Sequence, residues 1–362
     1  PLPTSAESTV RALAGTRTEN DRNAAPAFSP SLLNTFLRCP LRFWLQYACG
    51  LSPSDAYPED LSELQGNQYG DLMHEVLRRF TEHYDAADKL PDGEETAQLD
   101  ILRADIDCLT EQCYRRYGDT SRALLLVQKE QMKASLHDFA RCHRVDLLAG
   151  WRVMWREVKV TPTLTAEDGS TVPFTMRLDR VDRHDETGQW RIIDYKSNDK
   201  LPEATHYAPL GADEPPYLTE TELAPCVFSE KHLLADGGSR LRFFRITNVQ
   251  LPLYATALRQ LCAEQGENYA FPLLGYYNIP RGKAEAGFTP LFTKEKPKQV
   301  LTEAYEEIFH ACVRRLVTLI RAGECLRSAE SLGFTGSVSS FGALTPDDDP
   351  RSLCGMKAEF NP

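Results

Sequence analysis

The chain has 362 residues, of which 42% are hydrophobic and 26% are charged, with a formal net charge of −11. This composition is typical of a globular protein with a large core, and the negative charge argues against a protein whose whole surface coats nucleic acid. No apolar run reaches the roughly 18 residues of a membrane span, and the start does not resemble a signal peptide, so we expect a soluble, cytoplasmic protein without a membrane partner.

The two ends of the chain are predicted to lie outside the folded part. Residues 1–28 are expected to be a linker or disordered segment, because this stretch is rich in Pro, Ser, Thr, Ala and charge. The sequence opens on proline without a methionine, which is typical of a domain cut from a longer polypeptide. We expect a single domain over residues 29–330 and a loop-like tail over residues 331–362.

The first part of the predicted domain is helical. A helix begins near residue 30, where either Ser29 or Ser31 can cap it and Pro30 suits the first turn. A second helix over residues 69–84 carries an apolar stripe at helical spacing. A helical insertion follows at about residues 100–150, without a chemical signature.

The pattern then changes to strands between residues 155 and 196, in three segments. Residues 185–188 read as a four-residue hairpin loop, with Gly188 in the left-handed position that ends such loops. Beyond a loop insertion at about residues 200–243 we expect a helix near residues 248–265, a strand near 269–280 and a long amphipathic helix near 300–325.

The hairpin has a chemical consequence. A loop at 185–188 places Asp179 directly opposite Asp194, and like charges at opposed positions are destabilising. A bound cation would relieve that repulsion, and oxygen ligands suit Mg²⁺ or Mn²⁺. Lys196 shares a strand face with Asp194, where its ammonium could orient a water nucleophile or stabilise negative charge on a phosphate.

Each of these residues also has a plainer interpretation. Asp194 and Lys196 alone would usually be a solvated strand face, and the charges around Asp179 could be surface ion pairs that contribute little. His74 could be a further ligand or a packing histidine. Gly70, one turn before it, would leave room for a metal, backbone or phosphate.

Five ordered blocks of sequence together resemble the RecB-like branch of the PD-(D/E)XK nucleases. The blocks of I-D-Y-K-S and Q-L-P-L-Y-A type are the most specific. In chain order the matching segments are Ser29 to Pro40, Gly70 to Leu77, Asp179 to Asp182, Ile193 to Ser197, and Gln250 to Ala255.

The resemblance implies an α/β fold with a restriction-endonuclease-like core, in which a central mixed β-sheet is flanked by helices. It implies a metal-dependent DNA nuclease using Mg²⁺ or Mn²⁺. The family roles carry over onto His74, Asp179 and Asp194 as metal ligands, with both aspartates and Lys196 as catalytic residues. It implies that Gln250 and Tyr254 support the site and contact DNA. Gly70 is a further supporting position, and Glu157, in the strand before the hairpin, is a possible additional acid.

Within the family, the chain most resembles the C-terminal nuclease domain of AddB-type helicase–nuclease proteins. This implies single-stranded or unwound DNA as substrate, a helicase module or subunit as partner, and a role at the bacterial nucleoid in double-strand-break repair. The stretches 77–80 and 239–245 are candidate DNA contacts because they combine basic and aromatic residues.

Many relatives carry a [4Fe-4S] cluster, which needs four thiolates. Here Cys39 occupies the early position, but Cys354 is followed by Lys357 where a second late cysteine would stand, and Cys325 is isolated. We therefore expect no cluster. The alternatives are a catalytically inactive RecB-like DNA-binding or scaffold domain, and a CRISPR-associated RecB-like exonuclease, which the missing cysteines and the long insertion disfavour.

Overall fold

The computed structural model of the protein describes most of the predicted domain. The described residues are 28–38, 40–48, 66–90, 107, 111, 122–197, 206–209, 226–233, 239–279, 286–291 and 303–322. The predicted N-terminal linker, apart from Phe28, and the predicted C-terminal tail lie outside them. Among the described helices, none is both long and apolar enough to cross a membrane.

A five-stranded mixed sheet forms the centre of the fold. Its strand order is β1-β4-β5-β9-β10, in which β5 and β9 are parallel and the other neighbours are antiparallel. The mixed sheet predicted from the family resemblance is confirmed. Its strands are β1 (Trp151–Val160), β4 (Met176–His184), β5 (Trp190–Lys196), β9 (Leu273–Asn278) and β10 (Gly287–Pro290).

Helices cover both faces of this sheet, as predicted. One apolar core joins the sheet to α1, α5 and α6, and a second joins its other face to α3 and α4. The helices are α1 (Pro30–Arg38), α2 (Pro40–Phe43), α3 (Gly66–His83), α4 (Arg122–Leu148), α5 (Gln250–Gln265) and α6 (Glu303–Arg321).

The two faces of β5 separate as the strand period predicts. Ile192 packs in the core beside α1, α5 and α6, whereas Ile193 and Tyr195 pack against α3 and α4. At the start of α1, the backbone N–H of Leu32 donates to the Ser29 hydroxyl oxygen at 3.2 Å. Ser29 is thus the capping residue of the two serines that the sequence left open.

The β4–β5 hairpin has the predicted loop and register. The N–H of His184 donates to the carbonyl of Gln189 at 2.9 Å, and Gly188 has a φ of 66°, in the left-handed region. Arg180 pairs with Ile193 further along the ladder, and one more step in the same register sets Asp179 against Asp194. The side chain of Asp179 accepts the N–H of Tyr195 at 3.0 Å, so it lies between the two strands.

The insertion at 200–243, expected to be a loop, contains regular strands. They form an antiparallel sheet in the order β6-β8-β7, continuing past the expected boundary to Ile246. Pro, Gly and Glu residues around these strands obscured their alternation in the sequence. The strands are β6 (Tyr207–Pro209), β7 (Val227–Leu233) and β8 (Ser239–Ile246), and a separate hairpin pairs β2 (Thr163–Thr165) with β3 (Thr171–Pro173).

A buried cluster of charges holds β4, β5 and α4 together. Asp182 is fully buried and accepts hydrogen bonds from Arg180 at 2.6 and 2.9 Å and from Arg191 at 2.5 and 3.1 Å. Arg191 also donates to Asp146 of α4 at 3.0 and 3.1 Å. Burial opposes the charge on Asp182, but the two guanidinium groups outweigh burial and lower the pKa of its carboxyl. The charges of Asp182 and of the two arginines therefore stabilise one another in the core.

We expect Asp182→Asn to destabilise the protein strongly, since it leaves Arg180 and Arg191 buried without a full counter-charge. The free energy of unfolding should fall by about 3–5 kcal/mol, measured by urea denaturation at pH 7. Asp185→Asn is the control, because that acid is exposed in the hairpin loop beside Arg152 and should cost less than about 1 kcal/mol. Equal losses in the two variants would contradict the role of the cluster.

Candidate metal centre

Three acids from the neighbouring strands β1, β4 and β5 come together in the central sheet. Asp179 of β4 lies between Glu157 of β1 and Asp194 of β5 in the continued strand register. The side chains of Asp179 and Asp194 are almost fully buried. Unlike Asp182, none of the three lies in the buried arginine cluster. The predicted convergence of Asp179 and Asp194 is present, and Glu157 adds a third carboxylate.

His74 of α3 completes a compact group of donor atoms with two of these acids. Its Nδ1 lies 3.2 Å from Glu157 Oε1 and 3.6 Å from Asp179 Oδ2. Ligand atoms of the three residues all lie within 4.8 Å of one another, which is close enough for one metal ion. The imidazole also packs edge-on against Tyr195, with ring centroids 5.7 Å apart. The helix thus presents its histidine directly to the acids.

Glu157 has an unusual backbone conformation at this point. Its φ is 44°, in the left-handed region that non-glycine residues rarely adopt. Such conformations cost about 1–3 kcal/mol and cluster at functional sites. The strain coincides with the point at which Glu157 contacts His74 and Arg177. In the sequence Glu157 stood out only as an extra acid, because a backbone strained in this way leaves no mark in the residue pattern.

The electrostatics of the group favour a bound cation. Burial raises the pKa of Asp179, and the neighbouring charges of Asp194 and Glu157 raise it further, to about 7. Burial lowers the pKa of His74, but its hydrogen bond to Glu157 and the charge of Asp179 outweigh burial and raise that pKa above its usual value. In the metal-free protein, burial and the neighbouring acids therefore disfavour the negative charge of Asp179.

Asp194 has a different environment from the other two acids. Its Oδ2 forms an ion pair with the ammonium of Lys196, and its Oδ1 accepts a hydrogen bond from the Gln250 side chain at 2.9 Å. Lys196 also lies over the Tyr276 ring, 5.3 Å from its centroid. The compact donor group contains His74, Glu157 and Asp179 rather than the predicted set of His74, Asp179 and Asp194. Coordination by Asp194 therefore stays a prediction.

The predicted supporting pair on α5 contacts this site. Gln250 donates both to Asp194 and, at 2.9 Å, to the hydroxyl oxygen of Tyr254. Burial, followed by the charges of Asp179 and Asp194, raises the pKa of Tyr254. Tyr254 therefore stays protonated and neutral in this acidic surrounding.

A side-chain relay from α1 positions Gln250. Asn34 donates to the Asn248 side chain at 2.8 Å and accepts the N–H of Val249 at 2.9 Å. Asn248 in turn accepts the N–H of Gln250 at 2.9 Å. These bonds tie the first turn of α5 to α1, and Asn34 was not singled out from the sequence. Its partners lie more than 200 residues away, so no local pattern points to it.

The remaining predicted positions have mixed outcomes. A Cβ atom added at Gly70, one turn before His74, would meet no atom of the described residues within 4 Å. In the stretch 77–80, which was a candidate DNA contact, Arg78 and Arg79 both form ion pairs with Glu75 of the same helix. In the stretch 239–245, most side chains lie outside the described part of the structure. The same is true of the whole of Cys39, Cys325 and Cys354.

The donor set fits a hard divalent cation. Carboxylate oxygens predominate, the ligand type that Mg²⁺ and Mn²⁺ prefer, and one imidazole accompanies them. The raised pKa of Asp179 arises partly from like charges that a cation would neutralise. Among the described residues, no other group of three or more His, Cys, Asp or Glu side chains is arranged to hold a metal.

Comparison with known proteins identifies similar sequences. Residues 27–214, just over half of the chain, match a family described as the PD-(D/E)XK nuclease superfamily. The curated relatives include the B subunit of the ATP-dependent helicase/deoxyribonuclease of Clostridium perfringens, 27% identical over 199 residues, and its counterpart from Clostridium acetobutylicum, 25% identical over 195 residues. The matches cover 50% and 48% of this chain but only 16% and 15% of these much longer relatives.

We expect Asp179→Asn to stabilise the metal-free protein at high pH. Because the folded-state pKa of Asp179 is raised to about 7, the folded protein binds this proton more tightly than the unfolded chain. The metal-free stability should therefore fall as pH rises from about 4 to about 7. The substitution should raise the free energy of unfolding by about 1–3 kcal/mol at pH 8 and change it little near pH 4. Urea denaturation in EDTA measures this difference.

Asp182→Asn is the matched comparison, since it changes an acid of the same strand whose pKa is lowered, and it should lose stability at pH 8. Millimolar Mn²⁺ should stabilise the parent protein more than Asp179→Asn, because only the parent keeps the full ligand group. A metal-free Asp179→Asn protein that is less stable than the parent at pH 8 would contradict the proposed repulsion.

Proposed function

The chain belongs to the PD-(D/E)XK nuclease superfamily, and we propose that it hydrolyses DNA phosphodiester bonds with the help of Mg²⁺ or Mn²⁺. The observation that carries this proposal is the convergence of Glu157, Asp179 and Asp194 beside His74 and Lys196. A purely structural cluster of acids would be expected to have arginine partners, as Asp182 has. Here Asp179 and Asp194 instead contact His74 and Lys196, while Glu157 contacts His74 and the exposed Arg177.

The residues of the site have distinct proposed roles. His74, Glu157 and Asp179 would hold the cation, with Asp194 as a further ligand beside them. The bound cation would supply Lewis acidity and lower the pKa of a bound water. Lys196 lies next to Asp194, where its ammonium can orient the attacking water or stabilise negative charge that develops on the phosphate.

Gln250 and the residues behind it are proposed to position the acid. The amide of Gln250 donates to one oxygen of Asp194, which leaves the other oxygen for Lys196. Tyr254 accepts a hydrogen bond from the same amide and fixes its orientation. A side chain held by two partners loses little freedom when substrate binds, and such preorganisation contributes to catalysis.

The partner and the cellular setting are also part of the proposal. The curated relatives are named as subunits of ATP-dependent helicase/deoxyribonuclease enzymes. We propose that this chain likewise acts beside a helicase module, on single-stranded or unwound DNA ends in the bacterial cytoplasm at the nucleoid. Double-strand-break repair is the process that would need this combination. An inactive DNA-binding relative is the main alternative, and the presence of Lys196 beside the acids disfavours it.

We expect Lys196→Ala to lower the rate of DNA cleavage by at least about 100-fold, because it removes a charge placed for the reaction itself. Cleavage of labelled single strands in Mn²⁺ measures this loss. Calorimetry should show that the variant still binds Mn²⁺, since His74, Glu157 and Asp179 are intact. Lys89→Ala, at an exposed lysine paired with Asp85, is the control and should cleave like the parent. Equal background cleavage by the parent and by Lys196→Ala would favour the alternative of an inactive DNA-binding domain.

The relay behind Gln250 gives a second prediction. Asn34→Ala should lower the cleavage rate about ten- to hundredfold by loosening the first turn of α5. Since Asn34 would act through Gln250, the substitution should have much less effect in a Gln250→Ala background, and a double-mutant cycle measures this coupling. Additive effects of the two substitutions would contradict the relay. Thermal unfolding of each variant separates this coupling from a general loss of fold.

A further inference from the structure

Two cations face each other across β1 and β4 immediately beyond the acids. Lys159 is the direct partner of Arg177 in the antiparallel ladder, and both side chains are exposed. Directly opposed side chains have Cβ atoms about 4.5–5.5 Å apart, so like charges there are destabilising. Lys159 follows Glu157 by two residues and Arg177 precedes Asp179 by two. The pair therefore lies one step along the same two strands from the candidate metal centre.

The carboxylates near this pair do not neutralise it. Arg177 approaches Glu157 through Nε at 3.0 Å, yet Glu157 also bonds His74 and belongs to the metal-binding group. In the described part of the chain, no other carboxylate lies within ion-pair distance of Arg177, and none lies within that distance of Lys159. The side chain of Arg177 is 54% exposed. Of these two exposed cations, only Arg177 thus approaches a carboxylate among the described residues, and that carboxylate belongs to the metal-binding group.

A second opposed pair on the same two strands provides the contrast. Arg152 of β1 faces Arg183 of β4 at the far end of the ladder. There each guanidinium has a carboxylate of its own, Asp185 at 2.9 Å for Arg152 and Glu267 at 2.7 Å for Arg183. The far pair is therefore neutralised within the protein, as a structural pair should be. Between these two pairs, Arg156 faces Arg180. There Arg180 is paired with Asp182, and Arg156 donates to the side chain and carbonyl of Thr81. Of the three opposed pairs, only the pair beside the acids has no partner outside the metal-binding group among the described residues.

We propose that Lys159 and Arg177 form a phosphate-binding site for the nucleic-acid backbone next to the bond that is cleaved. This inference rests on the proposed nuclease function and adds a substrate-binding site to it. A phosphodiester that enters a centre with three carboxylates meets like charge, and a pair of cations at the rim offsets that repulsion. A guanidinium also offers several N–H donors in a geometry that matches phosphate oxygens.

The test measures oligonucleotide binding in Mn²⁺ with Lys196→Ala as the background, so that turnover does not consume the probe. The probe is a short fluorescein-labelled single strand, titrated at several salt concentrations. The double variant Lys159→Gln/Arg177→Gln is compared with Arg152→Gln/Arg183→Gln. A charge-preserving double variant, Lys159→Arg/Arg177→Lys, provides rescue. Calorimetry of each variant with Mn²⁺ alone reports whether the centre is intact.

We expect Lys159→Gln/Arg177→Gln to bind the single strand at least about tenfold more weakly. The magnitude of the slope of log affinity against log salt should fall by about 0.7 for each lost phosphate contact. The variant should bind Mn²⁺ at least as tightly as the background protein, because two repelling positive charges are removed. The charge-preserving variant should recover most of the affinity, and the far pair should change it by less than about twofold.

Three results would overturn the inference. An unchanged affinity and salt slope in Lys159→Gln/Arg177→Gln would reject the phosphate site while leaving the nuclease proposal intact, provided that the parent cleaves. An equal loss in Arg152→Gln/Arg183→Gln would show a general charge effect rather than a site. A parent protein that neither binds nor cleaves single strands in Mn²⁺ would reject the phosphate site and the nuclease function together.

Discussion

The register of the β4–β5 hairpin is the constraint on which the rest of the site depends. A four-residue loop closed by Gly188 sets Asp179 against Asp194, and the neighbouring strand adds Glu157. Burial, together with the neighbouring charges of Asp194 and Glu157, raises the pKa of Asp179. A shift of one residue in this register would separate the acids onto opposite faces of the sheet. The loop geometry therefore decides whether the molecule can concentrate negative charge at one point.

The two aspartates of the D-R-V-D segment show how strongly surroundings decide what a carboxylate does. Asp182 is buried between two arginines, which lower its pKa and make it part of the core. Asp179 lies three residues earlier in the same strand among other acids, and its pKa is raised instead. One carboxylate stabilises the sheet, and the other leaves a charge for a ligand to neutralise. The same contrast separates the opposed pair Lys159–Arg177 from the opposed pair Arg152–Arg183 on β1 and β4.

The helices extend this arrangement outwards. α3 presents His74 from one face of the sheet, while α5 presents Gln250 from the other, and α1 secures α5 through Asn34. The site thus joins both layers of helices to the central strands. The residues that position the site therefore lie far apart in the chain.

Local patterns in the sequence determined much of this protein. The strand period separated Ile192 from Ile193, the loop residues predicted the hairpin register, and the ordered blocks indicated the superfamily and its mixed sheet. Only the tertiary structure decided that Glu157 joins His74 and Asp179, that Asn34 supports Gln250, and that strands occupy the expected loop insertion. The reason is physical: periodicity and turn chemistry act over a few residues, whereas these contacts join segments that only folding brings together.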